Sequence, residues 1–416
     1  MHVEVINTGT ELLLGHVINT HLKFLAEALF PLGSRIARQV TVPDGLAIRD
    51  ALLETFGRAE IVFVTGGLGP TTDDVTRDVV AELLGLALVH DEEIMRAIDA
   101  RFARRSMAMS PRNQLQAQRP REAVVLMNAN GTAPGLYFPP LESPGFGRSP
   151  HIFLLPGPPR ELQPMFTGQV LPIIEKLLPL RPAFAMNSYR VAGMGESGVE
   201  ELVGEALLSL GLEVGYCARP GEVDVRLIGG PEALERARGI VVAKLGGHIV
   251  SQDSRVLEKV IVDLLSERGE TLAIAESCTG GFVAHRVTNV PGSSAVFTQG
   301  FVTYANEAKT RALGVPAALI REHGAVSAEV ATAMAEGARA AAGVDHALAT
   351  TGIAGPGGGS ETKPVGTVFI ALATKSGPAI VERHCFQNDR ETFKNLTAQT
   401  ALDLLRRHLV RSEEAA

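Results

Sequence analysis

The stretch EIVFVTGGLGPTTDDVTRDVVAELL (60–84) carries the fold. Four apolar residues, Ile61 to Val64, run without a polar break to Thr65 and into Gly66-Gly67-Leu68-Gly69, and an amphipathic pattern follows across Asp74–Leu84. An unbroken apolar run is what a strand buried on both faces requires, and a Gly-rich turn into a helix is the usual exit from such a strand in a parallel sheet. The same alternation extends outward: HVEVINTG, then INTHLKFLAEALF, IARQVTV and DGLAIRDALLETF before it, and AVVLMN, GLYF and HIFLLPG after it. This predicts an α/β domain over 1–172 with a mostly parallel sheet covered on both faces. PPLESPGFGRSP (139–150) reads as a surface loop between two late strands. Two further segments follow. Residues 173–252 read as a small α+β module, with half-buried alternation at Val223, Val225 and Leu227. Residues 253–416 read as a second α/β domain, and 416 residues suit two or three cores.

Composition narrows the class. Hydrophobic residues are 45% and charged residues 20%, as in an ordinary globular protein, and a formal charge of −7 argues against a duplex-binding surface. Without Trp and with only 5% aromatics, the cores rest on Leu, Ile, Val and Ala. No apolar run reaches the length of a membrane span, and MHVEVINTGTE (1–11) places acids where a signal peptide carries a basic and then an apolar region. Cys217, Cys278 and Cys385 form no CxxC pair, which fits a reducing compartment and offers neither a disulfide framework nor a zinc site. The expectation is a cytoplasmic protein with no membrane partner.

Three Gly-rich turns end strands in the first segment: GTELLLG (9–15), TGGLGPTTDD (65–74) and LPGPPREL (155–162). Ligands of open α/β sheets sit at the carboxyl ends of the strands, where glycine lets backbone N–H groups approach a phosphate. Gly66, Gly67 and Gly69 therefore read as a phosphate cradle. Asp73 and Asp74, expected in the first turn of the next helix, either cap it or hold a divalent metal. In the third segment, Ser277 ends a strand in AESCTGG (275–281) ahead of a helix opened by Gly280-Gly281, a place where a nucleophile meets helix N–H donors. No histidine stands in an obvious motif beside it. Tyr304 and Lys309 of YANEAK (304–309) offer a base instead, since a desolvated lysine loses its proton more readily. TTGIAGPGGGS (350–360) offers backbone donors for an anion. Cys278 is a rival nucleophile. Each of these has a plain structural alternative: Ser277 as an N-cap, Tyr304 as a core ring, Lys309 as a solvated cation, the glycines as a connector.

Taken together, these motifs resemble the CinA family. TGGLGPTTDDVT, GTELLLG, Pro43-Asp44, NGTAPG (130–135) and LPGPP are similar, in the same order, to its molybdopterin-binding-type domain. AESCTGG, GFVTYANEAK, EHGAVS (322–327), TTGIAGPGGG and KPVGTV (363–368) resemble its C-terminal nicotinamide-nucleotide amidase domain, with Arg390 of NDRETFK near a substrate phosphate and Lys394 where arginine is frequent. The resemblance implies a bifunctional enzyme. One activity is a divalent-metal-dependent ADP-ribose pyrophosphatase, with Asp44 and Asp74 as catalytic and metal-holding residues and Glu11, Gly66, Gly67, Gly69, Thr71 and Gly157 binding substrate. The other is a metal-free hydrolysis of nicotinamide mononucleotide, with Ser277 as nucleophile, Tyr304 and Lys309 handling its proton, Thr351 at the oxyanion, and Gly280, Gly281, Asn306, Gly352, Gly355 and Arg390 binding substrate. It also implies a homodimer and a KH-like middle module. Gly193-Met194-Gly195-Glu196 has the wrong glycine spacing for the GXXG clamp of KH domains and adds an acid, so that module reads as a spacer or dimer contact rather than an RNA site. A regulatory or scaffold protein, and a domain that binds molybdopterin, are the alternatives.

Overall fold

The computed structural model describes residues 2–177 and 185–414. The chain divides into two compact units, Met1–Pro182 and Ala183–Ala416, so the second and third segments of the sequence share one unit.

The first unit is built on a six-stranded sheet. Its strands are β1 (His2–Thr8), β2 (Arg35–Val42), β3 (Ile61–Thr65), β4 (Val124–Leu126), β5 (Gly135–Phe138) and β6 (His151–Leu155), in the order β2-β1-β3-β6-β5-β4. The first four in that order are parallel; β5 runs antiparallel to β6, and the edge strand β4 antiparallel to β5. Successive residues of β3 feed opposite cores. Val62 and Val64 pack with Ile6 and Leu154, while Ile61 and Phe63 pack with Val3, Val5 and Phe153. That two-sided burial is why the run lacks polar alternation. Two local expectations change. Glu142–Ser143 pairs with Gly147–Arg148, so the Pro/Gly/Ser-rich 139–150 stretch contains a small hairpin, anchored by Ser143 Oγ donating to the Leu83 carbonyl at 2.7 Å. The helix expected from Asp74 begins at Thr76, so Asp73 and Asp74 precede it and neither caps it.

The second unit holds two sheets. β7 (Ala185–Ala192), β8 (Glu213–Arg219), β9 (Glu222–Gly229) and β10 (Ile249–Ser251) form an antiparallel sheet ordered β8-β9-β7-β10. Val223, Val225 and Leu227 are buried against the helices Glu196–Leu208 and Pro231–Leu245, as the alternation requires. β11 (Leu272–Glu276), β12 (Phe297–Val302), β13 (His346–Gly352), β14 (Thr367–Thr374) and β15 (Ile380–Cys385) form the other, ordered β12-β11-β13-β14-β15. β11 runs parallel to both neighbours, so β11, β12 and β13 deliver their carboxyl ends to one edge. β14 runs antiparallel to β13, and the edge strand β15 runs antiparallel to β14. Among the described residues, no helix is long and apolar enough to cross a membrane.

Candidate functional sites

At the carboxyl edge of the C-terminal sheet, three loops are tied to one another by backbone bonds. Ser277 N donates to the Thr350 carbonyl at 2.9 Å, and Thr303 N donates to the Glu276 carbonyl at 2.8 Å. These bonds put the residue after β11, the turn after β12 and the end of β13 side by side. Helix α1 (Asn306–Leu313) follows that turn and carries Lys309 back beneath Ser277. Nζ of Lys309 lies 3.1 Å from Ser277 Oγ, 2.8 Å from the Thr303 carbonyl oxygen and 3.2 Å from that of Tyr304. The side chain is 1% exposed, and burial holds its ammonium pKa below the usual 10.5. A neutral amine has two N–H donors and one lone pair. Once it has lost its proton, Lys309 can donate to the two carbonyls and turn its lone pair to the Ser277 hydroxyl.

Ser277, Cys278, Tyr304, Asn306, Lys309, Thr351, Gly352 and Arg390 line one cavity of about 220 Å3. Five expectations are revised. Tyr304 places its hydroxyl against Arg390 Nη2 at 3.0 Å, and only its main-chain carbonyl meets Lys309, so the phenol is not bonded to the serine proton. The helix N–H groups expected to face Ser277 are taken by Glu276, a 1% exposed carboxylate that accepts from Gly281 N, Val283 N and Ala284 N at 3.0, 3.0 and 2.8 Å. Gly280, Gly281 and Gly355 stand outside the cavity wall; Gly281 N is bound to Glu276, and the Gly355 carbonyl accepts from Arg390 Nη1 at 2.8 Å. Cys278 is 5% exposed and burial pushes its thiol up to about 12, which removes it as a thiolate nucleophile near neutrality. Thr351 lies on the wall but donates its hydroxyl to the Ala325 carbonyl at 2.7 Å, so it offers a cavity ligand only lone pairs. Arg390 uses two of its five N–H donors on Tyr304 and Gly355.

Glu276 went unnoticed in the sequence because an acid at a strand end carries no distinctive signal. Its role suggests a test. Glu276→Gln turns one carboxylate oxygen into an N–H donor facing other donors, at a cost of about 2 kcal/mol. Scanning calorimetry is expected to show the transition of the C-terminal unit falling by roughly 4–8 °C. An unchanged transition rejects the capping role.

In the first unit, the turns after β1, β3 and β6 surround a cavity of about 370 Å3. Glu11, Asp44, Gly66, Gly67, Gly69, Asp74 and Gly157 all stand on its wall, with Asp73, Gln116, Thr132 and Glu161. Gly66 is at φ 102°, and a Cβ there would sit 2.6 Å from the Thr8 carbonyl oxygen, so only glycine lets the two turns close. Thr71 is off the wall; its hydroxyl and its N–H, the latter at 2.9 Å, hold Oδ2 of Asp74. Oδ2 of Asp44 likewise accepts from Thr10 N at 3.1 Å. The wall carries five carboxylates and no Lys, Arg or His. Among the described residues no three His, Cys, Asp or Glu side chains converge as a closed metal cage. Asp44 and Asp74 on that wall offer the hard oxygen donors that a magnesium ion takes. Glu161, which accepts from Asn128 Nδ2 at 2.8 Å, was missed because it reads as one more first-turn acid.

A cavity ringed by Gly-rich turns in one α/β unit and a buried Ser–Lys pair in the other define a protein with two separate candidate sites. Residues 4–176 match the family model described as "Probable molybdopterin binding domain", and residues 254–409 match the "CinA C-terminal domain". The chain is 45% identical over 403 residues to a CinA-like protein of Akkermansia muciniphila, covering 97% of this chain and 96% of that one. It is 42% identical to a CinA-like protein of Citrifermentans bemidjiense, covering 99% and 98%. The competence/damage inducible protein CihA of Agrobacterium tumefaciens, a crystal structure, is 41% identical over 36% of this chain and 92% of its own, with a TM-score of 0.36. The chain belongs to the CinA family.

Proposed function

We propose that the C-terminal site hydrolyses the carboxamide of nicotinamide mononucleotide to the acid and ammonia. The observation that carries this reading is the 3.1 Å approach of a desolvated lysine amine to Ser277 Oγ at a strand end. The neutral Lys309 amine takes the hydroxyl proton as Ser277 Oγ attacks the carboxamide carbon. The C–N bond then breaks, and the proton on Lys309 passes to the departing nitrogen, which leaves as ammonia. Water, deprotonated by the same amine, attacks the acyl-serine ester, releasing the carboxylic acid and restoring the serine hydroxyl. Asn306, Arg390 and the Tyr304 hydroxyl offer side-chain donors on the cavity wall for the substrate's polar groups, with Arg390 suited to the phosphate.

The test is ammonia release from nicotinamide mononucleotide by the full chain with chelator present; no release refutes the reading. A pH profile adds a second check. The base works only as free amine, so kcat/KM is expected to rise with pH through the Lys309 pKa and level off below the 10.5 of an ordinary lysine. A profile still climbing past that value rejects a desolvated base. A regulatory scaffold needs no nucleophile and amine converging in one cavity, so the geometry favours an enzyme.

For the N-terminal site we infer a divalent-metal-dependent hydrolysis of ADP-ribose. Its support is the acidic wall, on which an anionic diphosphate needs a bridging cation. When bound, the metal would polarise the diphosphate. Asp44 and Asp74 would hold the cation, and the Gly66–Gly69 turn would cradle phosphate oxygens. Asp74→Asn is expected to lower ADP-ribose hydrolysis by about 100-fold, and activity that ignores both this change and chelator rejects the inference. Tight binding of a pterin without hydrolysis of ADP-ribose would favour the molybdopterin-binding alternative.

A further inference from the structure

A line of polar contacts runs from the antiparallel sheet of the second unit, across the helix Arg390–Glu414, to the neighbourhood of Ser277. The turn between β8 and β9 presses on that helix. Gly221 is at φ 80°, and a Cβ there would lie 2.7 Å from Gln399 Cγ, so glycine is what admits the contact. Gln399 is 4% exposed and uses both ends of its carboxamide. Its Nε2 donates to Glu222 Oε2 at 3.0 Å, and its Oε1 accepts from Arg286 Nη2 at 2.7 Å. A carboxylate only accepts and a guanidinium only donates, so the side chain between them must do one of each, and an amide does. On the sheet side, Glu222 lies 3.6 Å from both Arg190 and Arg219, and Arg190 is bonded twice to Asp224.

On the other side, Arg286 Nη2 also donates to Glu258 Oε2 at 2.8 Å. Arg286 belongs to the helix Phe282–Thr288, whose first residues, with Gly281 before them, hold the Glu276 carboxylate. Ser277 is the next residue after Glu276, so a shift of this helix carries the serine with it relative to Lys309. A second strap, from Arg406 to the Gly247 and Ile249 carbonyls at 2.7 and 3.0 Å, joins the same two parts, but its side-chain partner is Asp403 on its own helix. Beside the Gln399 bridge the sheet and the helix stand apart around a cavity of about 830 Å3, lined by Met194, Glu222, Phe386 and Gln399 among others. Hydrogen bonds therefore set the spacing there, and a buried bridge of this kind fixes one arrangement, because breaking it leaves buried polar groups unsatisfied.

We propose that the middle module is part of the scaffold of the C-terminal site, with Gln399 as the positioning residue through which it fixes the helix Phe282–Thr288 and so the approach of Ser277 to Lys309. The proposal rests on reading Ser277 as the nucleophile of the amidase. Two rates of the full chain test it. One is ammonia release from nicotinamide mononucleotide. The other is labelling of Ser277 by a fluorophosphonate, in which the serine Oγ displaces fluoride from phosphorus whatever the natural substrate is. Gln399→Glu keeps an acceptor for Arg286 but sets a second carboxylate against Glu222. It is expected to lower kcat and the labelling rate by about tenfold, with KM within about twofold of wild type. Gln399→Met removes both bonds without adding charge, and is expected to lower the same two rates by about threefold or more. The deciding variant is the swap of Gln399→Glu with Glu222→Gln, which returns one donor and one acceptor in exchanged places. It is expected to regain both rates to within about twofold of wild type. A contact that serves only the fold would move the melting temperature and leave both rates alone. Unchanged rates in Gln399→Glu and Gln399→Met, or a swap no better than Gln399→Glu, overturn the proposal. If the wild type releases ammonia and the variants match it, only the positioning role falls. If the wild type is labelled but releases no ammonia, the amidase reading falls, while labelling lost in Gln399→Glu and regained in the swap upholds the positioning role. If the wild type does neither, Ser277 is no nucleophile and both fall.

Discussion

Ser277→Ala is expected to lower ammonia release from nicotinamide mononucleotide by on the order of 10,000-fold or more, with the fold intact. The serine hydroxyl is the group on the cavity wall held against a base, and the reaction as drawn has no second route. Cys278, its neighbour, cannot substitute, because burial keeps its thiol protonated up to about pH 12. The change deletes one oxygen at a site tied down by the backbone bonds of Ser277, Thr303 and Thr350, so stability is expected to move by less than about 1 kcal/mol. Substrate is still expected to bind, since the wall residues Asn306 and Arg390 are untouched. Steady-state turnover together with a binding measurement separates these effects. Residual activity within tenfold of wild type would remove Ser277 from the mechanism.

Lys309→Met is expected to cost about 1,000-fold in kcat, within the range of a positioned general base. Methionine is close to lysine in length and is at home in a buried site, so the helix Asn306–Leu313 is expected to keep its place. The buried carbonyl of Thr303 loses its donor, at a cost of about 1 kcal/mol, while burial of an amine is relieved. Stability and activity are therefore expected to diverge: a near-unchanged melting temperature beside a collapsed rate. The rising limb of the pH profile is expected to vanish with the amine. Combined with Ser277→Ala, the variant is expected to be no worse than Ser277→Ala alone, because the two groups act in one proton transfer. Additive losses, or a pH profile that keeps its limb, would mean that Lys309 serves the fold and another group serves as base.

Much of this was legible in the residues. β3 announces itself as an unbroken apolar run because both its faces are buried, and β9 announces itself by alternation because one of its faces is not. The three Gly-rich turns of the first segment were recognisable as strand ends, and the structure gathers all three around one cavity. Local signals were less dependable at boundaries. Asp73 and Asp74 looked like first-turn acids, yet their carboxylates engage Thr71 and the helix starts beyond them.

The chain order of apolar runs, glycines and motif residues determined by itself that this protein has α/β cores with loops at strand ends, and which side chains are available there. Those properties depend on periodicity and local hydrogen bonding, which a linear sequence displays. Only the tertiary structure decided how those side chains are used. It brought Lys309 to within 3.1 Å of a serine 32 residues away and stripped it of water. It turned the Tyr304 hydroxyl to Arg390, 86 residues further on. It assigned the helix N–H groups to Glu276 rather than to the nucleophile. Proton affinity, partner choice and donor availability are set by desolvation and by distance, and both come into being only when segments remote in sequence pack together.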